Sequence, residues 1–220
     1  MSTEICKIVK QKTLKPDLTF ELEKGYPDRL IAGVDEVGRG CLAGPVVAAA
    51  VILPQVTNHE SQNTPEWLSN VKDSKKLSPR QREWLAPLIS KWVCSSAIGL
   101  ASVEEIDKIN IYHASLLAMS RAVYALDLLP HFLLVDGNAL PPKLPCSAQA
   151  FVKGDQKCLS IACASIIAKV WRDHKMQVLD QEFPGYGLAI HKGYATQYHL
   201  QSLRKLGPSQ IHRTSFHPVL

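Results

Sequence analysis

Asp35, Glu36, Asp136 and Asp155 share a setting: each follows a short apolar run and adjoins a glycine-containing turn, in GVDEVGRG, LLVDGN and VKGD. A single acid at a strand end is ordinarily a turn residue or a helix cap. Several that converge pose a different problem, because clustered carboxylates raise one another's pKa unless a cation neutralises them. Their donors are hard oxygens with no His or Cys in support, which suits Mg²⁺ or Mn²⁺ rather than zinc. Two such ions can activate water and stabilise the leaving oxygen in phosphodiester cleavage. Asp35 and Glu36 are adjacent, however, and neighbours on a strand face opposite ways. Either the strand bulges there or one of the pair uses its backbone carbonyl.

The elements that must position these acids follow from the hydrophobic pattern. Residues 29–37 and 45–53 read as strands joined, hairpin-like, by the turn Gly38-Arg39-Gly40. Pro54 to Lys72 is a polar loop, and Ser78-Pro79 supplies an N-cap and first-position proline for a helix to about Ser90. Trp92 to Leu100 reads as a third strand. Ser102-Val-Glu-Glu105 is a capping box opening one long amphipathic helix, with Ile106, Ile109, Leu116, Leu117, Met119, Ala122 and Val123 as its apolar stripe. His131 to Asp136 is nearly all apolar, as expected inside a sheet, and Gln149 to Val152 is a further short strand. Helices are expected from Cys158 to about Glu182 and from Ala195 to Leu206. Residues 1–28 are polar and aperiodic and read as a loosely attached leader, so the domain is expected to span 29–220. A strand pair followed by alternating helix and strand implies an α/β fold with a mixed sheet. Acids at the ends of its strands place a site at the sheet's carboxyl edge.

Bulk properties narrow the class. The chain has 220 residues, 46% of them hydrophobic, and a net charge of +5, compatible with a nucleic-acid partner without requiring one. Its 6 cysteines form no Cys-x-x-Cys pair and fit no zinc template. The start lacks a signal-peptide core, and no apolar stretch is long enough to span a bilayer. A cytoplasmic protein with free, packed thiols is expected.

GVDEVGRGCLAGPVVAAAVIL, DSKKLSPRQRE, EIDKINIYHASLLAMSRAV, LLVDGN, VKGD, SIACASIIAKVWRD, HKGYAT and HRTSF stand in the order found in type-2 ribonuclease H, or ribonuclease HII. The resemblance runs from about Leu30 to Val219. It implies a five-stranded mixed sheet flanked by helices, with a C-terminal helical extension at about 184–220. It also implies hydrolysis of the RNA strand of RNA–DNA hybrids and nicking 5′ of ribonucleotides embedded in duplex DNA, with Mg²⁺ or Mn²⁺ on two sites.

By position it makes Asp35, Glu36, Asp136 and Asp155 the catalytic, metal-holding acids. Asp173 is the rival for fourth place, ranked lower because Arg172 beside it and Lys169 one turn earlier offer helix-surface pairing. It assigns substrate contacts to Gly38, Arg39 and Gly40 at the ribose 2′-hydroxyl, and to Tyr194 at the sugar of the DNA–RNA junction. Ser74, Lys75, Lys153 and Lys169 are expected at backbone phosphates. Without the resemblance these are a plain turn with a solvated arginine, a solvated basic turn and a packing tyrosine. The chain stops directly after the last motif, so no sliding-clamp tail is expected, and a monomer is. The rival classes are a DNA nuclease or strand-transfer enzyme with the same acidic core, and an inactive nucleic-acid-binding module. The acids argue against the module, since a pure binder gains nothing by presenting carboxylates to phosphates.

Overall fold

The computed structural model describes residues 15–55 and 65–219. Strands β1 (Ile31–Val37), β2 (Val46–Ile52), β3 (Ser95–Ala101), β4 (Phe132–Asp136) and β5 (Ala148–Phe151) form one sheet in the order β3-β2-β1-β4-β5. Central β1 pairs antiparallel with β2 and parallel with β4. The helices are α1 (Thr19–Glu23), α2 (Pro79–Trp92), α3 (Val103–Tyr124), α4 (Leu159–Glu182), α5 (Leu188–His191) and α6 (Gln197–Leu206).

Strand alternation sorts the apolar residues into two cores. Ala32, Val34, Leu133 and Val135 face α3, while Ile31, Val51 and Leu134 join residues of α2 and α4 on the other face. The alanines of β2 are all buried and let helices approach both faces closely. Gly33 serves the same end on β1, where a Cβ would sit 2.2 Å from the carbonyl carbon of Ser160 on α4. Two helix starts carry the expected caps: Ser78 with Gln81, and Ser102 with Glu105, each form a reciprocal capping box. Among the described residues no helix is long and apolar enough to cross a membrane.

Three features differ from the sequence expectation. First, β1 and β2 are not joined by a tight turn alone. The connection runs from Gly38 to Pro45, and its Leu42 and Ala43 enter a third core with Met176, Tyr186, Leu188, Leu203 and Ile211 of the C-terminal region. Second, α3 is not one straight helix. Asn110 takes φ 62° and ψ 165°, and its side chain caps the second part by accepting from the amides of Tyr112 and His113 at 3.0 and 3.2 Å. The fold-back lets Glu105 and Arg121, 16 residues apart, pair at 2.6 Å. Third, residues 15–28 are not loosely attached, although residues 1–14 of the expected leader lie outside the described residues. Glu21 is fully buried and accepts from the amide and hydroxyl of Ser160 at 2.8 and 2.7 Å. It thereby caps α4, whose own N-cap residue Cys158 makes no side-chain cap bond. The polar loop holds a 3₁₀ turn at Glu66–Asn70, and its residues 56–64 also lie outside the described part.

Candidate active site

β1 and β4 pair in parallel only as far as Val34 and Val135, whereas β1 stays paired with β2 to Val37. The sheet therefore forks at its carboxyl edge, and the acids sit at the fork. There is no bulge: the register of β1 with β2 is unbroken through Asp35 and Glu36. The two side chains leave opposite faces of the strand and straddle its end. Asp35, buried, points to the α4 side, where Ser165 hydrogen-bonds its carboxylate. Glu36 lines a cleft on the α3 side with Arg39, Tyr112, Ser115, Asp136 and Asn138. Asp136 accepts from the amide of Gly154 at 2.6 Å, which holds the 3₁₀ turn Gly154–Gln156, and with it Asp155, against the end of β4.

The electrostatics join all four. Burial, then the charges of Glu36, Asp136 and Asp155, push the Asp35 carboxyl well above the ordinary range. Burial raises Glu36 as well, with Arg39 opposing and Asp136 adding. Asp155 is pushed up to about 6 by burial, then by Asp73 and Asp136. Among the described residues no three His, Cys, Asp or Glu side chains close into a cage. An open set of carboxylates fits Mg²⁺ or Mn²⁺, which retain waters and complete their shells with substrate oxygens.

Asp173 stands apart from this cluster. Its carboxylate accepts from Lys169 Nζ at 2.7 Å and lies 3.9 Å from Arg82. The pairing with Lys169 is the one expected, but Arg172 does not lie on the helix surface. It is fully buried and faces the β1–β2 connection.

The expected substrate residues divide. Arg39 is exposed, with Nη1 3.3 Å from Glu36 Oε1. Gly38 is buried at φ +91°, and a Cβ there would meet Arg172 Nε at 2.2 Å, whereas Gly40 is exposed with open space around it. Lys75 is exposed beside the acids: burial works against its charge, but Asp35, Asp155, Asp73 and Asp136 raise its pKa on balance. Ser74 is different. Its Oγ is buried 2.7 Å from Ser165 Oγ. Either hydroxyl can donate to the other, and the pair lies beside the Asp35 carboxyl. The Ser74 hydroxyl is thus engaged internally, and Lys75 is the outward-facing group of that turn. Lys153 is exposed in a left-handed conformation at the start of the turn carrying Asp155. Tyr194 is half-exposed, bridges to Cys41 in the connection, and has Lys169 Nζ 5.7 Å from its ring centre.

Sequence reasoning missed the residues that shape this rim. Arg172 donates to the carbonyls of Pro45, Lys192 and Ala43 at 3.0, 2.9 and 3.1 Å. Arg213, also fully buried, donates to Gly44 at 3.0 and 2.8 Å and to Arg39 at 2.9 Å. Asp73 links two turns by accepting from the Lys75 amide at 2.9 Å and from Gln156 Nε2 at 3.2 Å. Its only sequence signal was an acid preceding a short basic turn, the setting of a local cap.

Helices on both faces of a five-stranded mixed sheet, with carboxylates at the fork of its central parallel strands, define the ribonuclease H class of fold. The ribonuclease H2 of Pyrococcus horikoshii superposes with a TM-score of 0.69 at 27% identity, covering 86% of this chain and 94% of that one. The ribonuclease HII in a solved complex with PCNA from Archaeoglobus fulgidus superposes with a TM-score of 0.61 at 27% identity, over 85% and 95% of the two chains. The family model described as Ribonuclease HII matches residues 32–219. The ribonuclease HII of Parvibaculum lavamentivorans is 51% identical over 94% of this chain and 73% of its own length. That of Nitrosococcus oceani is 52% identical over 86% and 89%. The chain belongs to the ribonuclease HII family, and it is accordingly a ribonuclease H, an endonuclease acting on RNA–DNA.

Proposed function

We propose that this ribonuclease H nicks duplex DNA on the 5′ side of single embedded ribonucleotides as well as cutting the RNA strand of hybrids. Asp35, Glu36, Asp136 and Asp155 are the groups that would hold two divalent ions, Mn²⁺ or Mg²⁺. One observation carries the reading: the four acids gather at the fork between β1 and β4, with Asp35 and Asp155 buried, so that their charges oppose one another and a cation would relieve the repulsion. When bound, the ions supply the positive charge that activates water and stabilises the leaving oxygen.

The chain's own groups do the rest. The exposed ammonium of Lys75 lies where a phosphate must approach the acids, and lessens its repulsion from them. Lys153 and Lys169 extend the basic rim for neighbouring phosphates. The backbone of Gly38 to Gly40, held by Arg213 at the Arg39 carbonyl and packed at Gly38 against Arg172, meets the ribose 2′-hydroxyl, and Tyr194 lies against the adjoining sugar. An all-DNA duplex leaves the groups set for that hydroxyl unpaired, a loss that discriminates strongly.

A duplex carrying one ribonucleotide, assayed with chelator and then with added Mg²⁺, Mn²⁺ or Ca²⁺, tests this. Nicking should leave a 3′-hydroxyl on DNA and a 5′-phosphate on the ribonucleotide. It should vanish with chelator, return with Mg²⁺ or Mn²⁺, and be weak with Ca²⁺, whose longer bonds misplace the reacting groups. Full activity in excess chelator, or equal cutting of all-DNA duplex, contradicts the proposal.

A further inference from the structure

Three histidines are buried together behind Tyr194, and none of them reaches the acids. His191, His199 and His212 are 7%, 0% and 1% exposed. The rings of His191 and His199 stack with centroids 4.3 Å apart, and His199 Nε2 lies 3.1 Å from His212 Nε2.

Their partners fix every ring proton. His212 Nδ1 lies 3.0 Å from the amide of Ser209, which can only donate, so Nδ1 accepts and Nε2 carries the hydrogen. That Nε2–H can point only at His199 Nε2, which must therefore accept. His199 then carries its hydrogen on Nδ1, and Nδ1 lies 3.0 Å from the carbonyl of Tyr194, which accepts it. His191 is set separately: Nδ1 accepts from the amide of Gly193 at 3.2 Å, and Nε2 donates to the carbonyl of Tyr186 at 2.8 Å. One assignment of neutral tautomers satisfies all these contacts. A proton added to any ring would set two donors face to face.

Both ends of this chain hold the substrate rim. The Ile211 carbonyl accepts from Gly44, and the Arg213 amide donates to Leu42, both at 2.8 Å, so the segment around His212 braces the Gly38–Pro45 connection. The other end holds the backbone of Tyr194. We infer that His212 and His199 are positioning residues for ribonucleotide recognition. Their directed hydrogen-bond chain from Ser209 to Tyr194 sets the distance between the glycine turn and the tyrosine. The inference rests on the junction-reading role proposed for Tyr194. Burial lowers the pKa of all three rings, that of His212 to about 4, which keeps the chain neutral in ordinary buffers.

Nitrogen-15 NMR of the histidine rings in the wild-type protein at pH 7 tests the chain directly. The expected spectrum shows three fixed, neutral rings, with the hydrogen on Nε2 in His191 and His212 and on Nδ1 in His199. Tautomer averaging, or a charged ring, overturns the inference. Two variants then test its consequence. His199→Asn keeps a donor near the Nδ1 position, while His199→Phe keeps the ring and removes both hydrogen bonds. Single-ribonucleotide nicking should fall about tenfold or more in the Phe variant, the scale of one lost buried hydrogen bond. The Asn variant keeps the bond to Tyr194 and loses the one to His212, so its rate should fall clearly less than that of the Phe variant, and plain-duplex affinity should be unchanged in both. Equal loss, or no loss, in the two variants makes His199 a packing residue and overturns the inference. If Tyr194→Ala nicks normally while the NMR pattern holds, the role given to Tyr194 fails instead.

Discussion

Arg213 Nη1 donates to the carbonyl oxygen of Arg39 at 2.9 Å, joining the last motif of the chain to the middle of the glycine turn. The guanidinium fork also spans Gly44, through Nε at 3.0 Å and Nη2 at 2.8 Å. Lysine cannot reproduce this planar set of donors. Arg213→Lys should lower stability by about 2–4 kcal/mol, since hydrogen bonds from a charged donor to buried carbonyls are lost. Single-ribonucleotide nicking should fall further than the activity on long hybrids, in which many adjacent 2′-hydroxyls are available. Denaturant unfolding alongside paired cleavage assays gives both numbers.

Asp35→Asn, Glu36→Gln, Asp136→Asn and Asp155→Asn should each depress hydrolysis by orders of magnitude while preserving the fold, because an amide keeps the volume and loses the charge. In metal-free buffer the melting temperature of Asp35→Asn should rise, as burial and three neighbouring carboxylates all oppose its ionisation. Asp173→Asn should be much milder, since its carboxylate holds Lys169 rather than joining the cluster. Steady-state rates with thermal melts check the set. A silent Asp155→Asn beside a dead Asp173→Asn reverses the fourth assignment.

Ser165→Ala removes the hydroxyl beside both Ser74 and Asp35 and leaves the buried Ser74 hydroxyl without its partner. The expected cost is about 1–3 kcal/mol of stability. Calorimetric titration with Mn²⁺ should show weaker binding, because the carboxylate of Asp35 has lost the donor that orients it. Unchanged Mn²⁺ affinity would show that Ser165 only fills space.

The Glu105–Arg121 pair fastens the two parts of α3 and predicts an acid-side effect. Two charge-assisted bonds from Arg121 pull the Glu105 carboxyl down to about 2. A carboxyl depressed in the folded state stabilises it at pH values above the unfolded pKa, near 4.3. That contribution is lost as pH falls through the folded value. Wild type should therefore melt above Glu105→Gln at pH 7, with the gap closing between about pH 4.5 and pH 2. The pair is partly exposed, so the gap should also shrink in high salt.

What the sequence disclosed and what it withheld have separate physical causes. The acids were legible because each announces itself locally, as a charge after an apolar strand, and the caps at Ser78 and Ser102 because they span four residues. The roles of Arg172 and Arg213 were not, since their partners are main-chain carbonyls up to 174 residues away, and every residue type offers a carbonyl. The bend in α3 left one trace, Asn110, a residue that tolerates positive φ better than most. The apparent clash of Asp35 with Glu36 dissolved because both stand where β1 has parted from β4 while still paired with β2, so side chains on its opposite faces flank the same gap. Glu21 hid in a polar segment because the helix end it caps begins 138 residues later, at Leu159 in chain position.

The buried grip of Arg172 and Arg213 is on backbone atoms and lies out of contact with water. Ions in solution screen exposed lysines strongly and buried contacts far less. Raising ionic strength should therefore loosen the hold on phosphates while leaving the contour of the glycine turn as it was. Encounters become rarer, yet those that occur are judged by an unaltered template. The same grip takes hold of main-chain oxygens, so at an outward-facing position such as Arg39 it does not depend on the side chain, whereas Gly38, Leu42 and Ala43 are part of the packing it secures.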